Sequence, residues 1–522
     1  MATKNLISRG AGVLLHPTSL YGNFGIGDFG DACFKFIDFL SAAKQKFWQI
    51  LPLNPIDGSN SPYQSCSVFA GNDLLISPEI LLKKKYIAES DLKNHLDFDS
   101  RKVDYQKVRE FKSNLFLIAY ENFKKDEDVQ TKFLDFNKKN KTWLDDYALF
   151  LALRKYFLEQ RQNKDLQDKK FKQGILKNYY DRAVWNTWPE EILMRDKKAI
   201  IKYQKKLADE INYYKFLQFE FFEQWMAVKK YANEKNIEII GDLPIFTAYN
   251  SCDVWANKNL FKLDENNYYL PKFIAGVPPD DFTAEGQLWG NPVYDWEENK
   301  NQNYEWWVNR IKNIFQMVDI VRIDHFRGFE SYWEVSFGAK NAINGNWIKG
   351  PGKNFFDFIK KKLGNLKIIA EDLGIITDDV RKLKNDCGFP GMRVLQFAFD
   401  YDNKNEHLPH NFCVNSIVYT GTHDNDTSFG WYKSASEKTK DKFRRYMNVS
   451  GEDPSWDLIR LAYSSVALCA IIPIQDLMSL DSFDRMNVPG TAFGNWKFRF
   501  TCDMLTDEIK NKLIYLCDLF NR

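Results

Sequence analysis

Cysteine is scarce: there are eight in 522 residues, with no Cys-x-x-Cys pair. Thiols this sparse do not make a disulfide scaffold, so reduced and mostly buried side chains are expected. Net charge is almost absent, since Lys+Arg 72 against Asp+Glu 70 leaves +2. A nucleic-acid binder led by electrostatics would carry a basic excess, and an anionic-membrane binder a polybasic patch. No long apolar run occurs; the one around Val466 to Ile472 stops at Pro473 and is too short to span a bilayer. The opening Met1-Ala2-Thr3-Lys4-Asn5-Leu6-Ile7 lacks the basic start and apolar core of a secretory signal, so a cytoplasmic location is expected. Also missing are G-x-S-x-G, H-E-x-x-H and a Walker loop.

Two motifs tempt and fail. Gly25-Ile26-Gly27-Asp28-Phe29-Gly30 fits G-x-G-x-x-G, but about ten residues separate it from the preceding strand, where a dinucleotide site needs a tight turn. The next strand ends in Leu51-Pro52-Leu53-Asn54-Pro55, with no carboxylate for a ribose. His407 and His410 stand three apart in a Pro-containing polar loop, which reads as a surface pair and not a zinc site. No cofactor and no metal are therefore expected.

What the chain does have is aromatic side chains, 16% of all residues, and evenly recurring apolar runs. The runs are Gly12–Leu15, Phe47–Leu51, Ile237–Ile240, Val318–Ile323, Lys367–Ala370, Val394–Phe397, Ile417–Thr420 and Ala470–Ile474. Each is continuous and not alternating, as in parallel strands buried on both faces. Most are followed by helical periodicity, as over Asp31–Gln45. Eight strand–helix units predict an α/β fold, a (β/α)8 TIM barrel forming one catalytic domain over 1–522. Two connections are swollen: 75–235, Lys- and Asn-rich with helical periodicity, and 244–314, rich in Gly, Pro, Asn and aromatics. They are expected as a helical and a loop-rich insertion after strands 2 and 3, the second lining the cleft.

Acids fall at strand ends. Asp242 follows the third run, Asp324 the fourth, Glu371 the fifth and Asp424 the seventh, on the face where barrel enzymes keep their catalytic groups. One such acid can be a helix cap or an ion-pair partner. Four together, with His325 and His423 adjacent, point to chemistry. Carboxylates crowded in one site split their proton affinities, giving the ionised nucleophile and protonated acid that retaining glycoside transfer needs. Arg322, two residues before Asp324, shares its strand face and is expected to keep it ionised.

These segments resemble, in order, those of the α-amylase clan. Further stretches are similar to the 4-α-glucanotransferase family (amylomaltase or disproportionating enzyme, glycoside hydrolase family 77). They are Gly12 to Leu20, Gly25 to Asp28, Ser61-Pro62-Tyr63-Gln64-Ser65, Phe69-Ala70-Gly71-Asn72, Ala275 to Asp280, Gly286 to Pro292, and Arg485-Met486-Asn487. The resemblance implies Asp324 as nucleophile, Glu371 as general acid/base and Asp424 as the carboxylate that stabilises the transition state. It implies sugar contacts from Tyr63, Asp242, Trp289, Arg322 and His423, and from Asp280 and Phe282 on a loop over the cleft. Asp281 departs from the aromatic or small residue common there.

The implied partners are α-1,4-glucans and maltooligosaccharides, with glucose as a further acceptor, and neither nucleic acid nor membrane. An α-glucan hydrolase of the same clan is a second reading, disfavoured because only about fifty residues follow the eighth strand, without room for the usual β-sandwich domain. A non-catalytic glucan-binding protein is a third, disfavoured by the intact acid trio.

Overall fold

Eight short parallel strands close on one another in a computed structural model that describes residues 6–93, 97–162, 175–279, 283–400, 402–491 and 493–522. They are β1 Gly10–Leu14, β2 Phe47–Gln49, β3 Glu238–Leu243, β4 Ile320–Ile323, β5 Ile368–Ala370, β6 Gly391–Val394, β7 Ser416–Tyr419 and β8 Cys469–Pro473. The hydrogen-bonded order runs β5-β4-β3-β2-β1-β8-β7-β6. The remaining seam is joined by Ala370 N donating to Pro390 O at 2.9 Å. The expected α/β barrel is therefore present.

Every residue of β1, β4, β5, β6, β7 and β8 is buried. Alternate side chains point into and out of the barrel. On β2, Trp48 lies against Phe36 of helix Asp31–Ala42 and Trp225 of helix Ala208–Glu234. Gln49 accepts a hydrogen bond from Tyr419 of β7 at 2.9 Å, a polar contact between strands that are not neighbours.

Two strands differ from the sequence reading by three residues, and the others by one or two at an end. β6 lies three residues earlier than expected, at Gly391–Val394, and Leu395–Phe397 form a 3₁₀ turn. Arg393 interrupts the apolar run there, and the pairing with Ser416–Tyr419 overrides local pattern. β3 extends to Leu243, so Asp242 lies inside the strand and not beyond it, opposite Arg322 of β4.

Between β2 and β3 the chain is mainly helical, with Tyr105–Phe123, Glu127–Lys139, Lys141–Gln162 and Ala208–Glu234 as the long helices. The last carries three buried polar residues that grip the segment after β2. Gln218 accepts from Gly71 N at 2.7 Å and donates to Gly71 O at 2.9 Å. Gln224 accepts from Ser77 N at 2.8 Å, and Glu220 pairs with Lys84 at 2.8 Å. Gly71 permits this approach, because a Cβ there would meet the Phe221 ring at 2.1 Å. The glycines of the failed nucleotide fingerprint are likewise packing residues: a Cβ on Gly27 would stand 2.0 Å from Pro17 O.

The stretch expected to be loop-rich holds regular structure. Strands Phe273–Val277 and Gln287–Pro292 join Ser331–Ser336 and Gly345–Lys349 in an antiparallel four-stranded sheet, and helix Glu305–Met317 leads into β4. Beyond β8 come the short helix Ile474–Leu477, 3₁₀ turns and helix Asp507–Phe520.

Candidate active site

The parallel register places Asp242 and Arg322 side by side at the C-terminal ends of β3 and β4. Arg322 Nη1 donates to Asp242 Oδ1 and Oδ2 at 2.8 and 2.6 Å, and to Asp324 Oδ1 at 2.9 Å. Tyr63, on the segment held by the long helix, donates its hydroxyl to Asp242 Oδ2 at 2.7 Å. Asp242 and Arg322 are almost fully buried. Burial alone would lower the guanidinium's proton affinity, but Asp242 and Asp324 raise it well above its ordinary value, so the cation is permanent.

Asp324 directly follows β4, its amide donating to Leu243 O at 3.0 Å. Burial pushes its carboxyl up to about 6, against the pull of Arg322 and with a further push from Asp242. The expected contact with Arg322 exists, but the cation is shared with Asp242. Asp324 is therefore ionised at neutral pH with less margin than the sequence suggested.

Glu371 directly follows β5. Its Oε2 accepts from His325 N at 2.7 Å and its Oε1 from Leu373 N at 3.0 Å. The His325 backbone lies in the left-handed region, with φ 49°. Burial drives the Glu371 carboxyl up to about 8; Arg322 opposes this and the Asp324 charge adds to it. Two neighbouring carboxyls thus differ in state at neutral pH, one protonated and one ionised.

Asp424 lies five residues past β7 on the loop after His423, its side chain 47% exposed. His423 Nε2 stands 3.3 Å from Asp424 Oδ2, and Asn487 Nδ2 donates to Asp424 Oδ1 at 2.7 Å. Arg485 Nη2 donates to the Asp424 carbonyl at 2.9 Å. Partial loss of water in the cleft would raise this carboxyl, but His423 and Asn487 outweigh that and hold it well below the usual range. Asp424 in turn raises His423 against its own burial. The Tyr63 and His423 rings stack with centroids 5.2 Å apart and planes 17° from parallel, and Trp496 leans on both.

Trp289, on the small sheet, meets the His325 ring edge-on at 4.9 Å, and Gln64 donates to its carbonyl at 3.2 Å. Six expected groups, Tyr63, Asp242, Arg322, Asp324, His423 and Asp424, are thus linked by contacts, and Glu371 and Trp289 both meet His325, the residue after Asp324. Asp280 and Phe282 lie outside the described residues.

Sequence reasoning assigned no role to Asn487, Arg485, Trp496 or His325. No periodicity marks them; only the resemblance of Arg485-Met486-Asn487 drew attention to that loop. His16 was also missed. It lines a pocket beside His423, its Nδ1 has no hydrogen-bond partner, and burial lowers it to about 3. His410 is exposed and His407 partly covered, the His407 Nδ1 accepting from Val394 N at 3.0 Å. Among the described residues no group of three or more His, Cys, Asp or Glu could hold a metal ion.

A model of the 4-alpha-glucanotransferase family matches residues 15–505. Among curated relatives, the 4-alpha-glucanotransferase of Synechocystis is 46% identical over 522 residues, covering 99% of each chain. That of Clostridium butyricum is 43% identical over 512 residues, covering 97% of this chain and 100% of its own. Among solved structures, the amylomaltase of Streptococcus agalactiae in complex with acarbose superposes with TM-score 0.91 at 38% identity, covering 98% of this chain and 99% of that one. The amylomaltase of Corynebacterium glutamicum shares the fold with TM-score 0.75 at 15% identity, covering 97% of this chain and 75% of its own. The chain belongs to the 4-α-glucanotransferase family.

Proposed function

We propose that the chain transfers a segment of an α-1,4-glucan from a donor to the 4-hydroxyl of an acceptor glucan or glucose, retaining the α configuration. The observation that carries this reading is the pair of acids at the ends of neighbouring strands, Asp324 after β4, bonded by Arg322 at 2.9 Å, and Glu371 after β5, with burial raising Glu371 to about 8 and Asp324 to about 6.

Glu371 gives its proton to the glycosidic oxygen while an Asp324 oxygen attacks the anomeric carbon. The C–O bond to the leaving glucan breaks and a glycosyl ester forms. Glu371, now ionised, takes the proton of the acceptor 4-hydroxyl, whose oxygen displaces Asp324. Asp424, ionised and held by His423 and Asn487, accepts hydrogen bonds from sugar hydroxyls that strengthen as the ring flattens toward the oxocarbenium-like state. Tyr63 supplies an aromatic face to the donor sugar. Asp280, Phe282 and Trp289 contact the bound glucan, and the stretch 244–314 lines the cleft. Transfer beats hydrolysis where an acceptor is held in line and water is excluded.

The test is incubation with maltotriose. Longer oligomers together with maltose and glucose are expected; glucose and maltose alone would overturn transfer in favour of hydrolysis. Asp324→Ala should abolish turnover while glucan binding by calorimetry persists, and retained turnover would refute the nucleophile. Glu371→Gln should lower kcat by about 10²–10⁴-fold.

A further inference from the structure

The three residues that follow Asp324 all donate hydrogen bonds to one short stretch, Glu371 to Ile375. His325 N donates to Glu371 Oε2 at 2.7 Å, Phe326 N donates to Glu371 O at 3.2 Å, and the Arg327 guanidinium donates to Ile375 O. The turn after β4 thus holds the segment after β5. Both carboxyl oxygens of Glu371 rest on backbone amides, His325 N and, at 3.0 Å, Leu373 N. Where that carboxyl points therefore depends on where two loop amides stand.

Neither loop keeps its place by local preference. His325 has φ 49°, a left-handed conformation that a residue with a side chain holds only when its surroundings impose it. Its turn is anchored below, because Phe326 packs on Phe356 and Phe389 with ring centroids 5.5 and 6.1 Å apart. The second loop is anchored at Asp372, which accepts from Met392 N of β6 at 2.6 Å. Beyond it Gly374 turns the chain with φ 83°, and the Ile375 side chain is 49% exposed, so burial does not fix that residue. Arg327 is the side chain that crosses from the anchored turn to Ile375.

Arg327 stands there against the interest of stability. It is 5% exposed and forms no ion pair among the described residues, since nearby Glu330 is taken by Lys349 and Ser331. Its Nε has no hydrogen-bond partner, and the Trp347 ring covers the guanidinium 3.8 Å from the centroid. Stability alone favours an apolar side chain in such a place. The geometry points to Arg327 as a positioning residue for Glu371, locking the Glu371–Ile375 loop to the turn behind the nucleophile so that the carboxyl meets the glycosidic oxygen. The inference rests on Glu371 as the general acid/base. Loosening the loop should damage proton delivery and spare attack by Asp324, which Arg322 holds from β4.

The test uses two donors that differ in their need for a proton. The sugar leaving maltotriose takes one from Glu371. α-Maltosyl fluoride needs none: Asp324 attacks the anomeric carbon, the C–F bond breaks, and fluoride departs with the electron pair. Wild type, Arg327→Met, Arg327→Lys and Glu371→Gln are compared by steady-state transfer from maltotriose and by the first-turnover burst of fluoride. Met fills the space under Trp347 without a donor, and Lys restores one. Arg327→Met should lower kcat on maltotriose by about 10- to 100-fold with KM little changed, while its burst rate falls by less than about threefold. Arg327→Lys should recover most of the maltotriose rate. Burst amplitude counts folded sites, so partial unfolding does not imitate the difference. Equal losses on both donors in Arg327→Met, or an unchanged kcat on maltotriose, would overturn the positioning role. Glu371→Gln should show the same selective loss to a greater degree; equal losses there would instead sink Glu371 as the acid.

Discussion

At the residue scale, proton affinity is the property the site controls most. Glu371 is held protonated up to about 8 by burial and the Asp324 charge, and Asp324 ionises at about 6. The free enzyme's kcat/KM should therefore describe a bell, rising through about 6 as Asp324 ionises and falling through about 8 as Glu371 loses its proton. A flat profile across that range would contradict the assignment. The same shift has a stability consequence. A raised native carboxyl contributes stability present below its unfolded pKa and lost as pH rises through the folded one. Glu371→Gln cannot ionise, so its Tm relative to wild type should increase between pH 5 and 9 while turnover is lost. A melting comparison across that range checks this, and a difference that stays constant with pH would contradict it.

At the scale of elements, the barrel seam is closed by few contacts, several of them polar. β5 and β6 are joined by the Ala370–Pro390 bond and by the side chain of Asp372, next to Glu371. Asp372 accepts from Met392 N at 2.6 Å and from Lys384 Nζ at 2.6 Å, with Arg393 at 3.5 Å, and all three side chains are at least nine-tenths buried. Asp372→Ala leaves two buried cations without this carboxylate. It should cost about 3–5 kcal/mol in urea unfolding, and a loss under about 1 kcal/mol would show the seam is held otherwise. The sequence showed Asp372 only as the neighbour of a catalytic candidate. Its partners come from a helix and a strand 12 to 21 residues on, and no local pattern announces them. β6 was misplaced for the same reason, since Arg393 breaks the apolar run while its guanidinium is neutralised by Asp372 and Glu406.

For the molecule as a whole, the few cysteines give a direct reading of the fold. All eight are free thiols; Cys33, Cys66, Cys252, Cys469 and Cys517 are buried, Cys387 is partly covered, and Cys413 and Cys502 are exposed. A small thiol reagent should label Cys413 and Cys502 at once, Cys387 slowly, and the five others only on unfolding, as mass spectrometry can count. Rapid labelling of a buried strand thiol such as Cys469 would contradict the closed barrel. No helix among the described residues is long and apolar enough to cross a membrane.

By itself the sequence determined the repeating unit and the chemistry at its ends. Continuous apolar runs have to be buried on both faces, and an acid directly after such a run, Asp324 or Glu371, must emerge at one rim. Tertiary structure decided what those acids became. Only the β3–β4 register brings Arg322 between Asp242 and Asp324, only chain closure carries Asn487 and Arg485 to Asp424 some sixty residues earlier, and only the small sheet sets Trp289 against His325. Strand burial is encoded locally in side-chain pattern, whereas proton affinity and subsite position depend on which distant groups share a low-dielectric space.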